Sequence, residues 1–200
     1  MPTQEDILDA TEEVLRRYGP EKTNVVDVAR ALDVSHGTIY RHFSSKAALR
    51  DAVTRRWLQR VERPLAAISR EGGPAEERLR RWLDTLISTK HEVRRNDPEM
   101  FATYYQLAQE ATGIVDQHVT ELVDQLAAIV VDGQKAGVFN VADAERTARA
   151  VFQATARFHH PAQADAWDDP TIDEQFEAVW HLVRRGLEAT EPSESGPRPA

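Results

Sequence analysis

Residues 24–43 read Asn24-Val25-Val26-Asp27-Val28-Ala29-Arg30-Ala31-Leu32-Asp33-Val34-Ser35-His36-Gly37-Thr38-Ile39-Tyr40-Arg41-His42-Phe43. Thr23 or Asn24 can cap a short helix, because their side-chain oxygens can accept from the free amides of a first turn. Val25, Val28, Ala29 and Leu32 then repeat at helical spacing. Asp33-Val34-Ser35 breaks the pattern, and a second short helix runs from about His36 to Phe43. Two short helices around such a turn make a helix-turn-helix, in which the first helix braces the second and the second offers its N-terminal part to a major groove. Ala29 is small enough to let the two helices cross closely. Val34, Ile39 and Phe43 point inward. Ser35, His36, Gly37, Thr38, Tyr40, Arg41 and His42 share the outward face, and several of them are donors, acceptors or methyl groups that suit base edges.

Outward from this stretch nearly every segment is predicted helical. Ile7, Thr11, Val14, Leu15 and Tyr18 mark a first helix stopped by Gly19-Pro20. Ser44 or Ser45 caps a long fourth helix with Leu49, Val53, Trp57 and Val61, and Pro64 bends that helix or ends its first half. Gly72-Gly73-Pro74 is a break. The pattern resumes over 75–96, and Asp97-Pro98 is the cap and first position of the next helix. Further helices are expected over about 114–136, 143–159 and 173–189, with a polar loop at 160–170. The segment 128–131, Ala-Ile-Val-Val, could be a lone strand, but the helical period around it outweighs that. With no internal repeat and no alternation of strands and helices, the fold class is all-α with about nine helices. The expected divisions are a helix-turn-helix domain over 1–50, a helical domain over 51–190, and a disordered tail over 191–200, rich in Pro, Ser and Glu.

Composition bounds the remaining possibilities. The chain has 200 residues, 41% hydrophobic and 29% charged, which fits a soluble globular protein. It has no cysteine, which excludes disulfides, thiolate metal sites and a cysteine nucleophile. No apolar run approaches the roughly 20 residues of a membrane helix, and the acidic, amphipathic N-terminus is not a signal peptide, so a cytoplasmic location is expected. The net charge of -8 is uneven. Residues 1–60 carry 10 basic and 9 acidic residues, while 61–200 carry 15 and 24, a net of -9. Within 36–60 lie Arg41, Lys46, Arg50, Arg55, Arg56 and Arg60 against Asp51 alone. A basic stretch in an acidic protein orients it on a polyanion, although a solvated helix face is the plainer reading of charge by itself.

The stretch resembles the DNA-binding domain of the tetracycline-repressor (TetR) family of bacterial transcriptional regulators. The resemblance rests on Thr23, Asp27-Val28-Ala29, Val34-Ser35, Gly37-Thr38-Ile39-Tyr40, His42-Phe43, Ser45-Lys46 and Leu49. It covers about 3–50. Asp33 departs from it, standing where the family most often has glycine; Asp tolerates a left-handed backbone. The resemblance implies that His36 and Thr38 sit at base edges, with Gly37 allowing close backbone approach. Tyr40 and His42 would be phosphate contacts, as would Thr23 and Lys46, the latter at a helix N-terminus. Arg41 would read a guanine or grip the backbone, and Ser35 completes the reading surface. It also implies a homodimer on a palindromic, double-stranded operator and a C-terminal domain with a small-molecule pocket between helices.

Trp82, Leu86, Phe101, Tyr104 and Tyr105, with Phe158 and Trp180, are the expected walls of that pocket, which would take a small hydrophobic or aromatic effector. Plain core is the competing reading of the same spacing. Ala148, Phe152 and Thr155 on the penultimate helix and Phe176, Val179 and Val183 on the last are the expected dimer face, where small residues allow close approach and bulky ones fill the gaps. His159-His160, followed by Asp165, Asp168 and Asp169, superficially resembles a metal cluster, but its spacing fits no ligand pattern and a loop-anchoring role is expected instead. There is no phosphate loop and no nucleophile or zincin motif, so no enzyme, cofactor or metal is expected. The expected function is a DNA-binding regulator, a repressor released by an effector. The alternatives are a helical ligand- or metal-binding protein and an architectural DNA binder without effector.

Overall fold

The computed structural model describes residues 1–188; the expected tail over 191–200 lies outside the described residues. The described residues form ten α-helices and one 3-10 helix: α1 (Gln4–Lys22), α2 (Val25–Ala31), α3 (His36–His42), α4 (Lys46–Arg70), α5 (Ala75–Asn96), α6 (Pro98–Glu110), α7 (Thr112–Lys135), α8 (Ala144–Ala154), α9 (Ala156–His159), a 3-10 helix Pro161–Asp168, and α10 (Ile172–Leu187). The 128–131 segment is helical, within α7. Among the described residues no helix is long and apolar enough to cross a membrane.

Local chemistry sets most of the boundaries. Thr3 and Asp6 close a reciprocal capping box at the start of α1. At Gly19 the backbone turns to φ 75°, and Pro20 and the last residues of α1 follow that kink. Pro64 does not end α4, which continues to Arg70; a proline in mid-helix costs one backbone hydrogen bond, and the surrounding packing tolerates it. The Asp97 carboxylate accepts from the Met100 amide at 3.1 Å, with Pro98 in the first position of α6. The helix expected over 143–159 divides at Thr155, whose hydroxyl donates back to the Val151 carbonyl at 2.9 Å.

The chain divides into two compact units, residues 1–64 with 88–121, and residues 65–87 with 122 onward. In the first, Ile7, Val14 and Leu15 of α1, Val28 and Ala29 of α2, Ile39, Leu49, Val53 and Trp57 share a core with Met100, Tyr104 and Leu107 of α6. Removing such side chains from water contributes about 1.5–3 kcal/mol each. In this unit the Arg56 guanidinium meets Glu12 at 2.6 Å, Asp9 at 2.7 Å and Glu5 at 3.2 Å, joining α4 to α1.

The second unit buries Leu79, Trp82, Leu83 and Leu86 of α5 and Leu122, Leu126 and Ile129 of α7. Arg78, almost wholly buried, donates to the carbonyls of Ser69 and Glu71 and to Asp132 at 2.8 Å. It thereby supplies donors that the last turn of α4 would otherwise lack. Phe139 lies flat on Gly133, where an added Cβ would stand 2.1 Å from the ring, so this crossing requires glycine.

Candidate nucleic-acid interface

The reading head is built from caps inward. The Asn24 side chain accepts from the Asp27 amide at 3.0 Å and starts α2. After α2, Asp33 adopts φ 53°, the left-handed region that the turn requires and that Asp tolerates better than most residues. The Val34 amide then donates to the Ala29 carbonyl at 3.0 Å, closing the turn. Ser35 caps α3: its hydroxyl accepts from the Thr38 amide at 3.3 Å and lies 3.1 Å from the Thr38 hydroxyl. Ile39 and Phe43 are buried against α1 and α2, which fixes the rotation of α3 about its own axis.

That rotation leaves Ser35, His36, Gly37, Tyr40 and Arg41 exposed and Thr38 and His42 half-buried. His36 and Tyr40, one turn apart, meet edge to face with centroids 6.2 Å apart. Tyr40 is 47% exposed, high for an aromatic side chain on a seven-residue helix. A Cβ on Gly37 would meet only the Ser35 hydroxyl, at 3.7 Å, so the fold itself does not demand glycine there. Ser45 accepts from the Ala48 amide at 3.0 Å and caps α4, placing exposed Lys46 in its first turn. The unsatisfied amides of that turn and the ammonium favour an anion together. Neither Arg41 nor Lys46 enters an ion pair among the described residues, whereas Arg50 is held by Glu110 at 2.9 Å and Arg56 by three carboxylates.

Thr23 stands apart from this surface. It is buried, and its hydroxyl donates to the Gly19 carbonyl at 2.7 Å. It holds the end of α1 against the start of α2.

The residues expected to wall an effector pocket are dispersed among several contacts. Phe101, Tyr104 and Tyr105 belong to the first unit; Trp82, Leu86, Phe158 and Trp180 belong to the second. Tyr104 stacks on Trp57 inside the first core. Burial, with the negative charge of Glu12 as a smaller cause, pushes its phenol up to about 12. The Trp82 indole donates to Gln125 at 3.0 Å. Phe158 meets Phe176 edge to face at 5.2 Å, and Trp180 lies under the Arg80 guanidinium. Of the expected dimer residues, Ala148, Thr155 and Phe176 are buried by the chain's own second unit, while Phe152, Val179 and Val183 are half-buried.

His159 and His160 anchor the chain locally. The His159 ring nitrogen Nε2 lies 3.2 Å from the Phe152 carbonyl and 3.3 Å from the Thr155 hydroxyl. His160 accepts from the Ala162 amide and caps the 3-10 helix. Among the described residues no group of three or more His, Asp or Glu is placed to hold a metal ion. Helical spacing alone did not single out Arg78 or the buried pair of His118 and Glu62. Both rest on partners more than 50 positions away in sequence.

Known proteins share both halves of this architecture. Residues 7–53 match the family model described as bacterial regulatory proteins, tetR family, and residues 75–180 match the tetracyclin repressor-like C-terminal domain. The HTH-type transcriptional repressor Rv1474c of Mycobacterium tuberculosis is 34% identical over 100 residues, which are 46% of this chain and 51% of that protein. The HTH-type transcriptional regulator UidR of Escherichia coli is 29% identical over 139 residues, 68% of each chain. This chain therefore spans about half the length of the first relative and two thirds of the second. SmeT, the repressor of the Stenotrophomonas maltophilia multidrug efflux pump SmeDEF, has a similar fold at 15% identity, with a TM-score of 0.70 over 100% of this chain and 98% of that chain. SmeT is also solved as a complex with triclosan. With one family model on the reading head and another over more than half of its length, the chain belongs to the tetR family of bacterial regulatory proteins.

Proposed function

We propose that this DNA-binding transcriptional regulator is a repressor, that it binds a palindromic operator as a homodimer, and that a small hydrophobic or aromatic effector releases it. The observation that carries the reading is the surface of α3 and the first turn of α4. There, exposed polar groups and two unpaired cations, Arg41 and Lys46, surround a glycine that the fold does not require. In this reading Ser35, His36 and Thr38 meet base edges, and Gly37 lets the backbone approach the groove. Tyr40, Arg41, His42 and Lys46 grip phosphates, with Thr23 holding the support beneath. The half-buried Val179 and Val183, beside the exposed Leu182, favour pairing through α10.

Selection of bound sequences from random double-stranded DNA tests the reading. A two-fold symmetric motif should be enriched, because a two-fold dimer presents two heads to half-sites about one helical turn apart. Binding of all DNA alike, with no enriched motif, would sink it. Effector release is tested separately, by the loss of operator affinity together with a change in tryptophan fluorescence on adding a candidate ligand.

A further inference from the structure

Leu79, Leu83, Leu86, Lys90 and Val93 recur along α5 at alternating spacings of four and three, the period of a single helix face. The three leucines are wholly buried and Val93 is half-buried. Glu77, Arg81, Asp84, Ser88, Glu92 and Arg95 take the solvent side. Lys90 is thus the one charged member of an apolar face. It is 8% exposed, and its amine enters no hydrogen bond or ion pair among the described residues. Arg78, also buried on this helix, is met by the carbonyls of Ser69 and Glu71 and by Asp132. Lys90 has no such acceptors.

An unpaired ammonium is among the most costly groups to bury, and burial drives it toward the neutral amine. Desolvation, with no neighbouring charge opposing it, pushes Lys90 down to about 8. At pH 7 about one chain in ten then holds the free amine there, against about one in three thousand at an ordinary lysine. The amine is not sealed. Among the described residues the unbonded side-chain nitrogens that solvent cannot touch belong to Arg50, Arg56, Trp57, Arg78, His118 and Arg184, and Lys90 Nζ is not one of them. A free amine in an apolar setting is a nucleophile, the state in which lysines attack carbonyl groups.

We propose that Lys90 is a covalent site for a small apolar aldehyde. The Nζ lone pair attacks the carbonyl carbon and forms a C–N bond as the π pair of the C=O bond moves to oxygen. A proton passes from nitrogen to that oxygen. The carbinolamine then forms a C=N bond as its hydroxyl leaves with the second N–H proton as water. Amine and aldehyde give imine and water, with no oxidant or reductant. An imine is a weaker base than the amine it replaces, so the reaction relieves a buried charge. An alkyl chain on the aldehyde suits the apolar face of α5. Any consequence for the operator rests on the repressor reading above, with the aldehyde as its effector; the imine itself does not.

Lys22, Lys46 and Lys135, the other lysines of the chain, are exposed and serve as internal standards. The full chain without DNA is treated at pH 7 with butanal and sodium cyanoborohydride, which fixes each imine as a butylated amine, and the labelled peptides are followed by mass spectrometry. Lys90 should be labelled at least tenfold faster than each of the exposed lysines, although it is the buried one. The α-amino group of Met1, partly free at neutral pH, is the positive control. In urea the preference should vanish. Lys90→Arg keeps a cation without a nucleophilic amine and should lose this label alone. Labelling of Lys90 no faster than of Lys22, Lys46 or Lys135 would overturn the proposal. So would a Lys90 label that appears only in urea, or a preference as large in urea as in the folded chain. Operator binding is measured on the same preparation. A chain that binds operator but leaves Lys90 unlabelled refutes the site and leaves the repressor reading standing; a chain labelled at Lys90 that binds no operator does the reverse.

Discussion

The indole of Trp57 and the phenol of Tyr104 lie in near-parallel contact, their centroids 4.8 Å and their planes 7° apart. Both are buried in the core that also holds α1 and α2, so this pair ties the bracing helices of the reading head to α6. Tyr104→Ala removes a large buried ring and should destabilise by about 3–5 kcal/mol. Tyr104→Phe keeps the stack and should cost under about 1.5 kcal/mol. Urea unfolding followed by tryptophan fluorescence measures both. Equal midpoints for Ala and the parent would mean the ring is not a core element.

Tyr104 also marks where sequence reading stops. Its spacing with Phe101 and Leu107 is that of any buried helix face, and the same period serves a pocket wall and a packed core. What decides between them is Trp57, 47 positions away on another helix. By contrast, the reading head was legible because its determinants are local. Asn24, Ser35 and Ser45 each cap a helix through an amide three residues on, and Asp33 carries the one strained turn residue. At Pro64 the local cost is real, yet of the bend and the end that it allowed, the end does not occur, because α4 runs on to Arg70. The split at Thr155 and the 3-10 helix after it were hidden because they depend on back-bonding to Val151 and on the His160 cap.

The Arg56 cluster gives a second expectation. Arg56 and Glu12 are each about one-eighth exposed, with side-chain values of 12% and 13%. Removing one partner of a pair this buried leaves an uncompensated charge, at a cost of about 3 kcal/mol. Arg56→Met should therefore destabilise markedly, and adding Glu12→Gln should recover part of the loss. A double-mutant cycle in urea with no coupling energy would show that solvent already screens the pair.

The DNA surface separates grip from reading. Lys46→Ala should weaken every sequence alike and flatten the log–log salt dependence by about one unit, since each neutralised phosphate contributes about 0.9 to the slope. Thr38→Ala should leave the slope unchanged and relax base preference at one position of each half-site. Salt titrations on operator and on scrambled DNA make the comparison. If the Lys46 variant lost affinity for operator alone, the phosphate role would be wrong.

Lys90 sets a pH dependence of known sign. It is 8% exposed, no carboxylate among the described residues pairs with it, and burial pushes its ammonium down to about 8. Below pH 8 both folded and unfolded chains hold the proton, and the full cost of burying the charge is present. Between pH 8 and about 10.5 the unfolded chain holds a proton that the folded chain has released, so this group makes stability rise with pH. Lys90→Met should stabilise at pH 7 on the order of 3 kcal/mol. That gain should shrink toward zero above about pH 10.5. Urea midpoints at pH 7 and pH 10 decide it, and a gain of equal size at both would rule out the ammonium as its cause.

The last expectation concerns pairing through α10. Phe176 is 7% exposed and packs on Phe158, so Phe176→Glu should unfold the second unit whether or not the chain dimerises. Leu182 is 74% exposed, far above what a large aliphatic side chain shows in a core, and Ala178, His181 and Gly186 lie exposed along the same helix. Ala178, Leu182 and Gly186 fall at four-residue spacing, and such a small and apolar row suits a second copy of the same helix across a two-fold axis. Leu182→Glu therefore costs the folded monomer nothing in packing but sets two carboxylates against each other at the axis. It should give a folded chain of unchanged helicity that runs as a monomer in light scattering and binds operator at least tenfold more weakly, because a single head forfeits the second half-site. If Leu182→Glu and the parent share one mass and one operator affinity, the dimer does not form through this face of α10.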